Sequence, residues 1–135
     1  MPEVDYSHRS LLDKLGIKDG TTVVVLDIED PEFSDALAGR AVEPAAGGPA
    51  DIVVWGVDEA ADFARLPDLI DWIRPDGALW AVWPKGRKNF NENHVRELAI
   101  NAWLVDIKVA RFSATHSALK LVIPKAKRGR SDGHT

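Results

Sequence analysis

Two apolar runs decide the fold, DIVVWGV at residues 51–57 and ALWAVW at residues 78–83. Strands that are buried on both faces have continuous apolar runs of this kind, and they occur in parallel sheets covered by helices. The two runs therefore predict neighbouring central strands of such a sheet. They hold three of the chain's five tryptophans, Trp55, Trp80 and Trp83, which we expect to fill the core.

The segment between the two runs predicts helix. Asp58 is a suitable N-cap for a helix over residues 58–66, and Pro67 suits the first position of a second helix through residue 73. Pro-Asp-Gly at residues 75–77 predicts a turn before the next strand.

The amino-terminal part repeats the alternation of helix and strand. We predict a helix over residues 7–15, a buried strand over residues 21–28 (TTVVVLDI) and a helix over residues 31–38 that begins at a proline. The Pro- and Gly-rich residues 40–50 predict a loop, with a brief strand at residues 40–43.

The carboxyl-terminal part predicts one more helix and a hairpin. A basic loop at residues 85–88 precedes Asn91, which suits the N-cap of a helix. Residues 103–112 alternate as a less buried strand does, and residues 118–123 form the last predicted strand. Because only a few residues connect these two strands, the last one must run antiparallel to its predecessor.

This order predicts an α/β fold, a Rossmann-like three-layer sandwich with a mostly parallel sheet and a C-terminal antiparallel hairpin strand. The length of 135 residues fits one domain. We assign that domain to residues 1–124 and expect the basic residues 125–135 to be a disordered tail.

Composition narrows the location and the partners. The chain has no cysteine, which excludes disulfides and thiolate metal sites and fits a reducing compartment. Of its 17 basic residues four lie in the tail, and of its 21 acidic residues one does, so residues 1–124 hold 13 bases and 20 acids. An acidic body argues against nucleic acid as the main partner. The lack of an apolar run of about 18 residues or of a signal peptide indicates no membrane segment, and we expect a cytoplasmic protein.

The second half resembles class I S-adenosylmethionine-dependent methyltransferases. Residues 73–79 (IRPDGAL) match the pattern L-x-P-G-G-x-L of their middle strand, and the resemblance covers residues 51–124, including the hairpin ending. It implies their fold, and it implies that a cofactor would lie on a glycine-rich turn after the first strand. An acid such as Glu43 would then bind the ribose.

Nearly the whole chain, residues 6–124, also resembles an uncharacterised family of small bacterial proteins with a domain of unknown function. Two departures are Trp103, where a glycine is usual, and HSALK at residues 116–120, where WSGLK is expected. This resemblance implies a fold but no activity. The matching segments are YSHRSLLDKLGIKDG (6–20), DGALW (76–80), the Trp-Pro-Lys motif (83–85), LVDIKV (104–109) and Leu-Lys (119–120).

The turn after the first strand argues against S-adenosylmethionine as a cofactor. Residues 27–32 (DIEDPE) contain four acids and no glycine, and carboxylates would repel the cofactor's own carboxylate. We therefore predict no cofactor, with S-adenosylmethionine as the alternative. The chain also has no phosphate-binding P-loop, no nucleophile elbow and no histidines at metal-ligand spacing, so we predict no catalytic residue and no metal.

Candidate binding residues gather where the parallel strands end, because ligands of open α/β sheets bind at the carboxyl ends of the strands. Cations beside a helix N-terminus favour an anion, although a solvated basic loop has the same composition. The candidate ligand-binding residues are Asp27, Gly56, Asp58, Lys85, Arg87, Lys88 and His116.

Three functions stay open at this point. The first is a non-catalytic, methyltransferase-like module that binds a small anionic ligand or a protein partner. The second is an S-adenosylmethionine-dependent methyltransferase with an atypical cofactor site. The third is an interaction protein that forms a homo-oligomer through an edge strand or a tryptophan-rich surface.

Overall fold

The computed structural model describes residues 6–43 and 49–124; the predicted tail lies outside them. Within that part a five-stranded sheet is combined with four α-helices and one 3₁₀ helix. In chain order the elements are α1 (Tyr6–Leu15), β1 (Val23–Leu26), α2 (Pro31–Ala38), β2 (Ala50–Gly56), a 3₁₀ helix (Ala60–Arg65), α3 (Leu66–Trp72), β3 (Ile73–Pro84), α4 (Glu92–Asn101), β4 (Val105–Arg111) and β5 (His116–Val122).

The sheet is mixed, with the strand order β1-β2-β3-β5-β4. The strands β1, β2 and β3 are parallel, whereas β5 is antiparallel to both of its neighbours. The α/β class and the antiparallel hairpin strand are therefore confirmed. The hairpin folds back so that β5 lies inside the sheet and β4 forms its edge. Leu119 and Leu121 explain this placement, since both are fully buried.

Side chains of the central strands alternate between two apolar clusters, one on each face of the sheet. Val53 and Trp55 belong to the cluster that includes residues of α3, α4 and the 3₁₀ helix. Val54 and Trp80 belong to the cluster with α1 and α2. Trp55, Trp80 and Trp83 are all buried, which confirms that they fill the core. Trp80 also donates its indole N–H to the carbonyl of residue 15, at 3.0 Å.

The segment after β2 differs from the prediction. Asp58 is not a helix cap, because the 3₁₀ helix begins after Glu59. The carboxylate of Asp62 accepts hydrogen bonds from the backbone N–H groups of Asp58 and Glu59, at 2.8 and 3.3 Å. A capping carboxylate is therefore present, but it lies inside the helix and leaves the Asp58 side chain exposed.

The predicted turn at residues 75–77 lies within β3. Ala50 pairs with Ile73 and Ile52 pairs with Ala78, so four residues of β3 bulge opposite one residue of β2. A Cβ at Gly77 would lie 2.5 Å from the carbonyl oxygen of residue 51. Glycine is required there because the bulge brings the two backbones together.

Two strand predictions were too long. The first strand covers four residues, β1, and the brief strand at residues 40–43 is a single parallel bridge between Thr22 and Val42. Trp103 precedes β4 instead of belonging to it, and its φ of 69° is a left-handed conformation that follows the end of α4. The helix predictions for residues 31–38 and after Asn91 are confirmed.

Thr22 and Asp51 tie the beginnings of β1 and β2 together at the amino edge of the sheet. The N–H of Thr22 donates to Asp51 Oδ2 at 3.0 Å, and the N–H of Asp51 donates to Thr22 Oγ1 at 2.8 Å. Arg74 Nε lies 2.9 Å from Asp51 Oδ1. The hydrogen bond from the Thr22 backbone lowers the pKa of Asp51 below its ordinary value of 3.8, with Thr22 Oγ1 and Arg74 adding to the effect against the cost of burial.

A lowered pKa in the folded state means that the Asp51 carboxylate stabilises the fold above pH 3.8 and that this contribution is lost as the pH falls through the folded-state pKa. We expect Asp51→Asn to lower the free energy of unfolding by about 1 kcal/mol or less at pH 7, because the side chain is 42% exposed. The difference from the wild type should shrink as the pH falls through the lowered folded-state pKa of Asp51. Urea unfolding between pH 2.5 and 7 measures it, with Asp76→Asn on the exposed part of β3 as the control. A difference that persists unchanged at the lowest pH would contradict this account.

Candidate functional site

A cavity of about 150 Å³ opens at the carboxyl edge of the sheet. Four segments form it: the β1–α2 turn, the end of β2, Val82 of β3 and the β4–β5 hairpin turn. Its apolar surface comes from Ile28, Val57, Val82 and Phe112. A pocket at the carboxyl ends of the strands is the usual ligand site of open α/β sheets.

Four of the seven predicted site residues line this cavity, namely Asp27, Gly56, Asp58 and His116. They come from three separate segments, and the sheet brings them together because β1, β2 and β4 all end at the same edge. The sequence analysis predicted this carboxyl edge of the sheet from the directions of the strands alone.

The basic loop between β3 and α4 does not line the cavity. Nη1 of Arg87 lies 4.0 Å from Oδ1 of Asp58, which lines the cavity. The N–H of Lys85 donates to the carbonyl of Thr115 at 2.9 Å, so the loop lies beside the hairpin turn. Lys88 is exposed at the beginning of α4. The three cations are thus neighbours of the cavity and not part of its surface.

The β1–α2 turn is pressed against the end of β2. Asp27 has a φ of 58°, which is uncommon for a residue with a Cβ. A Cβ built on Gly56 would lie 2.3 Å from the carbonyl oxygen of Asp27 and 3.0 Å from Cγ1 of Ile28. Gly56 is therefore required so that the main chain of the turn can cross over β2.

Carboxylates surround the mouth of the cavity. Asp27 Oδ2 accepts a hydrogen bond from Arg65 Nη1 at 2.9 Å. Asp30 caps α2, since its Oδ1 accepts from the N–H of Phe33 at 3.0 Å. Asp58 and Glu29 complete the acidic lining. Arg65 and Arg87, which pair with Asp27 and Asp58, are not among the residues that line the cavity.

The hairpin turn adds a hydroxyl and imidazole cluster. Ser113 Oγ accepts from the N–H groups of Thr115 and His116 at 3.2 and 3.1 Å. Thr115 Oγ1 lies 2.8 Å from His116 Nδ1 and 3.3 Å from Ser113 Oγ. An imidazole held in this way can donate or accept a hydrogen bond in the cavity.

Sequence reasoning missed Ser113 and Thr115. Both line the cavity, but a serine and a threonine in a turn are ordinary, because their hydroxyls bond to nearby backbone groups. The spacing Ser-x-Thr-His between two strands was the available signal, and it predicts a turn rather than a site.

Four features of this edge bear on whether S-adenosylmethionine could bind there. The cavity is smaller than the roughly 300–1,000 Å³ of sites for drug-sized ligands. The Asp27 carbonyl lies directly against Gly56, and the turn after β1 contains no glycine. Asp30 already accepts a hydrogen bond from the N–H of Phe33 at the beginning of α2. Glu43, the suggested ribose-binding acid, is exposed and does not line the cavity.

Residues 6–43 and 49–124 contain no group of three or more histidine and carboxylate side chains placed to hold a metal ion. In the same residues no helix has both the length and the apolar character that crossing a membrane requires.

The fold is similar to that of S-adenosylmethionine-dependent methyltransferases. The CcbJ methyltransferase from Streptomyces caelestis matches with a TM-score of 0.62 and 6% identity over 86% of this chain and 88% of its own. Magnesium protoporphyrin IX methyltransferase (ChlM) from Synechocystis PCC 6803, with bound SAH, matches with a TM-score of 0.56 and 13% identity over 90% and 81%. The glycopeptide N-methyltransferase MtfA, complexed with sinefungin, matches with a TM-score of 0.55 and 10% identity over 87% and 93%.

At these identities the likeness concerns the fold alone. No protein-family model and no curated protein sequence matches this chain. The resemblance to methyltransferases is thus supported for the architecture, while the resemblance to the family with the Trp-Pro-Lys motif stays a prediction.

The contact between Asp27 and Gly56 predicts that alanine substitutions at Gly56 and at Gly39 have different effects on the free energy of unfolding. Gly56→Ala should lower the free energy of unfolding by about 1–3 kcal/mol, because the β1–α2 turn must move away from the new Cβ. Gly39→Ala is the control, since a Cβ there has 3.7 Å to the nearest atom and an ordinary φ of −85°. It should leave the stability unchanged or raise it slightly. Urea unfolding measures both, and equal stabilities for the two variants would show that the turn does not press on β2.

Proposed function

We propose that this chain is a non-catalytic, methyltransferase-like module that binds a small polar ligand in the cavity at the carboxyl edge of its sheet. The observation that carries the proposal is the β1–α2 turn, where an acidic segment packs on Gly56 in the place of a glycine cradle. The two apolar clusters, with helices of the chain on both faces, support the three-layer Rossmann-like arrangement that such modules share.

The size and the surface of the cavity support binding without methyl transfer. A volume of about 150 Å³ suits a ligand of a few non-hydrogen atoms. A methyltransferase would have to bind both a cofactor and a methyl acceptor at this edge. The turn at Asp27 and Gly56 leaves no space for the cofactor. The fold would then serve as a scaffold for recognition.

The lining favours a ligand that donates hydrogen bonds, such as an amine. Carboxylate oxygens of Asp27, Glu29 and Asp58 and the hydroxyls of the hairpin turn can all accept hydrogen bonds from it. The anionic ligand predicted from the basic loop would instead have to bind outside the cavity, beside Lys85 and Arg87.

A methyltransferase with an atypical cofactor site is the second candidate. The fold likeness to methyltransferases that hold SAH or sinefungin favours it. An acidic mouth could also attract the positively charged sulfonium of S-adenosylmethionine.

A cytoplasmic location and a bacterial origin stay predictions.

Calorimetric titration separates the two candidates. We expect no binding of S-adenosylmethionine or of its demethylated product at concentrations up to about 1 mM, because the turn at Asp27 and Gly56 leaves no cradle for the adenosyl group. A methyltransferase of the same fold, titrated under the same conditions, is the positive control. A dissociation constant in the micromolar range for either compound would favour the enzyme and overturn the proposal.

A second titration tests the charge of the ligand. We expect 1,4-diaminobutane to shift the NMR signals of the Gly56 and His116 amides, and Asp58→Asn to weaken this binding at least about threefold by removing one carboxylate. The double variant Lys85→Ala and Arg87→Ala is the matched control and should not weaken it. Shifts caused instead by inorganic phosphate, and lost in the double variant, would show that the ligand is an anion at the basic loop.

A further inference from the structure

The cavity at the carboxyl edge of the sheet has an apolar floor, which is formed by Val57, Val82 and Phe112. The two valines are each 2% exposed and the phenylalanine is 6% exposed, and all three line the cavity. The ring of Phe112 packs edge-on against the ring of Phe33 in α2, with the ring centroids 4.9 Å apart. Apolar side chains that lie at the bottom of a pocket favour a ligand with an apolar body.

Four acids line the same cavity, and three of them already have partners within the chain. Asp27 Oδ2 lies 2.9 Å from Nη1 of Arg65. Asp58 Oδ1 lies 4.0 Å from Nη1 of Arg87. Asp30 Oδ1 accepts a backbone N–H at the beginning of α2, at 3.0 Å. The charge or the hydrogen-bonding capacity of these three carboxylates is therefore partly used by the fold itself.

Glu29 is the fourth acid, and its carboxylate differs from the other three. It lines the cavity and is exposed. Within the part of the chain that the structure describes, it makes no hydrogen bond and no ion pair. All the acceptor positions of this carboxylate are thus available to a ligand, and no neighbouring cation offsets its charge.

A free carboxylate beside an apolar floor selects for two properties of a ligand at once. An ammonium group supplies an opposite charge and hydrogen-bond donors, and an apolar body fills the floor without leaving a buried polar group unpaired. The volume of about 150 Å³ limits the size, since an apolar cavity of this volume accommodates a molecule of the size of benzene. A second ammonium group would have to lie against the floor, where nothing apolar can accept its hydrogen bonds.

We propose that the ligand of this cavity is a small monoamine with an apolar body, and that Glu29 binds its ammonium group. This inference rests on the proposed function, to which it adds the class of amine and the residue that recognises it. The apolar body packs on Val82 and Phe112, while the ammonium group lies at the mouth of the cavity. Glu29 accepts its hydrogen bonds there, and Asp58 adds a second, partly offset charge.

A series of small probes tests the class of ligand on the full chain, with dissociation constants taken from the NMR shifts of the Gly56 and His116 amides. We expect isoamylamine to bind at least about tenfold more tightly than isoamyl alcohol, which has the same body without the charge. The same margin is expected over methylamine, which has the charge without the body. Isoamylamine should also bind at least about threefold more tightly than 1,4-diaminobutane, because the floor is apolar.

Glu29→Gln tests the residue, since it keeps the size of the side chain and removes its charge. It should raise the dissociation constant of isoamylamine at least about tenfold and leave that of isoamyl alcohol unchanged. Glu97→Gln is the matched control, because Glu97 is an exposed glutamate of α4 that does not line the cavity. It should change neither constant. Circular dichroism verifies that both variants are folded.

The outcomes separate this inference from the proposed function. Equal affinities for isoamylamine and isoamyl alcohol would overturn the inference, as would a diamine that binds as tightly as isoamylamine. An affinity for isoamylamine that Glu29→Gln leaves unchanged would also overturn it. In each of these cases, binding of 1,4-diaminobutane that Asp58→Asn weakens would leave the proposed function standing. If no amine shifts the signals of Gly56 or His116, both proposals fail together.

Discussion

The close approach of the Asp27 carbonyl to Gly56 is the constraint on which the site depends. Because a Cβ at position 56 would lie 2.3 Å from that oxygen, the end of β2 accepts the turn only with glycine. In this turn Asp27 has a left-handed conformation. The chain then continues into α2, where Asp30 caps the helix. The acidic lining of the cavity follows from this single packing contact.

The two central strands supply the rigidity that this contact requires. All six residues from Ala78 to Trp83 are buried, and alternate side chains enter the clusters on opposite faces. Strands packed on both faces have little freedom to move, so the carboxyl edge stays in place while its turns vary. This explains how a chain can keep the fold of solved structures with which it shares only 6–13% identity.

The two edges of the sheet, at β1 and at β4, differ in their hydrogen bonds and in their exposed side chains. At the β1 end, Val42 forms a parallel bridge with Thr22, and the Thr22–Asp51 hydrogen bonds fasten the first two strands. At the β4 end the last strand is exposed and rich in apolar side chains. The charged side chains Asp106, Lys108 and Arg111 and the register shift between Asp106 and Lys108 are features that protect an edge strand from pairing. The β4–β5 hairpin contributes to both features, since its turn lines the cavity and its strand β4 forms the exposed edge.

The sequence by itself determined the α/β class, the buried strands, the helix at residues 31–38 and the edge at which Asp27, Gly56, Asp58 and His116 gather, because these follow from local patterns and from strand direction. Only the tertiary structure decided that β5 lies inside the sheet, that the Lys85–Lys88 loop stays outside the cavity, and that Ser113 and Thr115 line it. These features depend on which segments meet across the sheet, and no local pattern encodes a distance between residues far apart in the chain. The role of Gly56 shows the limit most clearly, since a glycine at a strand end becomes informative only when the opposing carbonyl is seen.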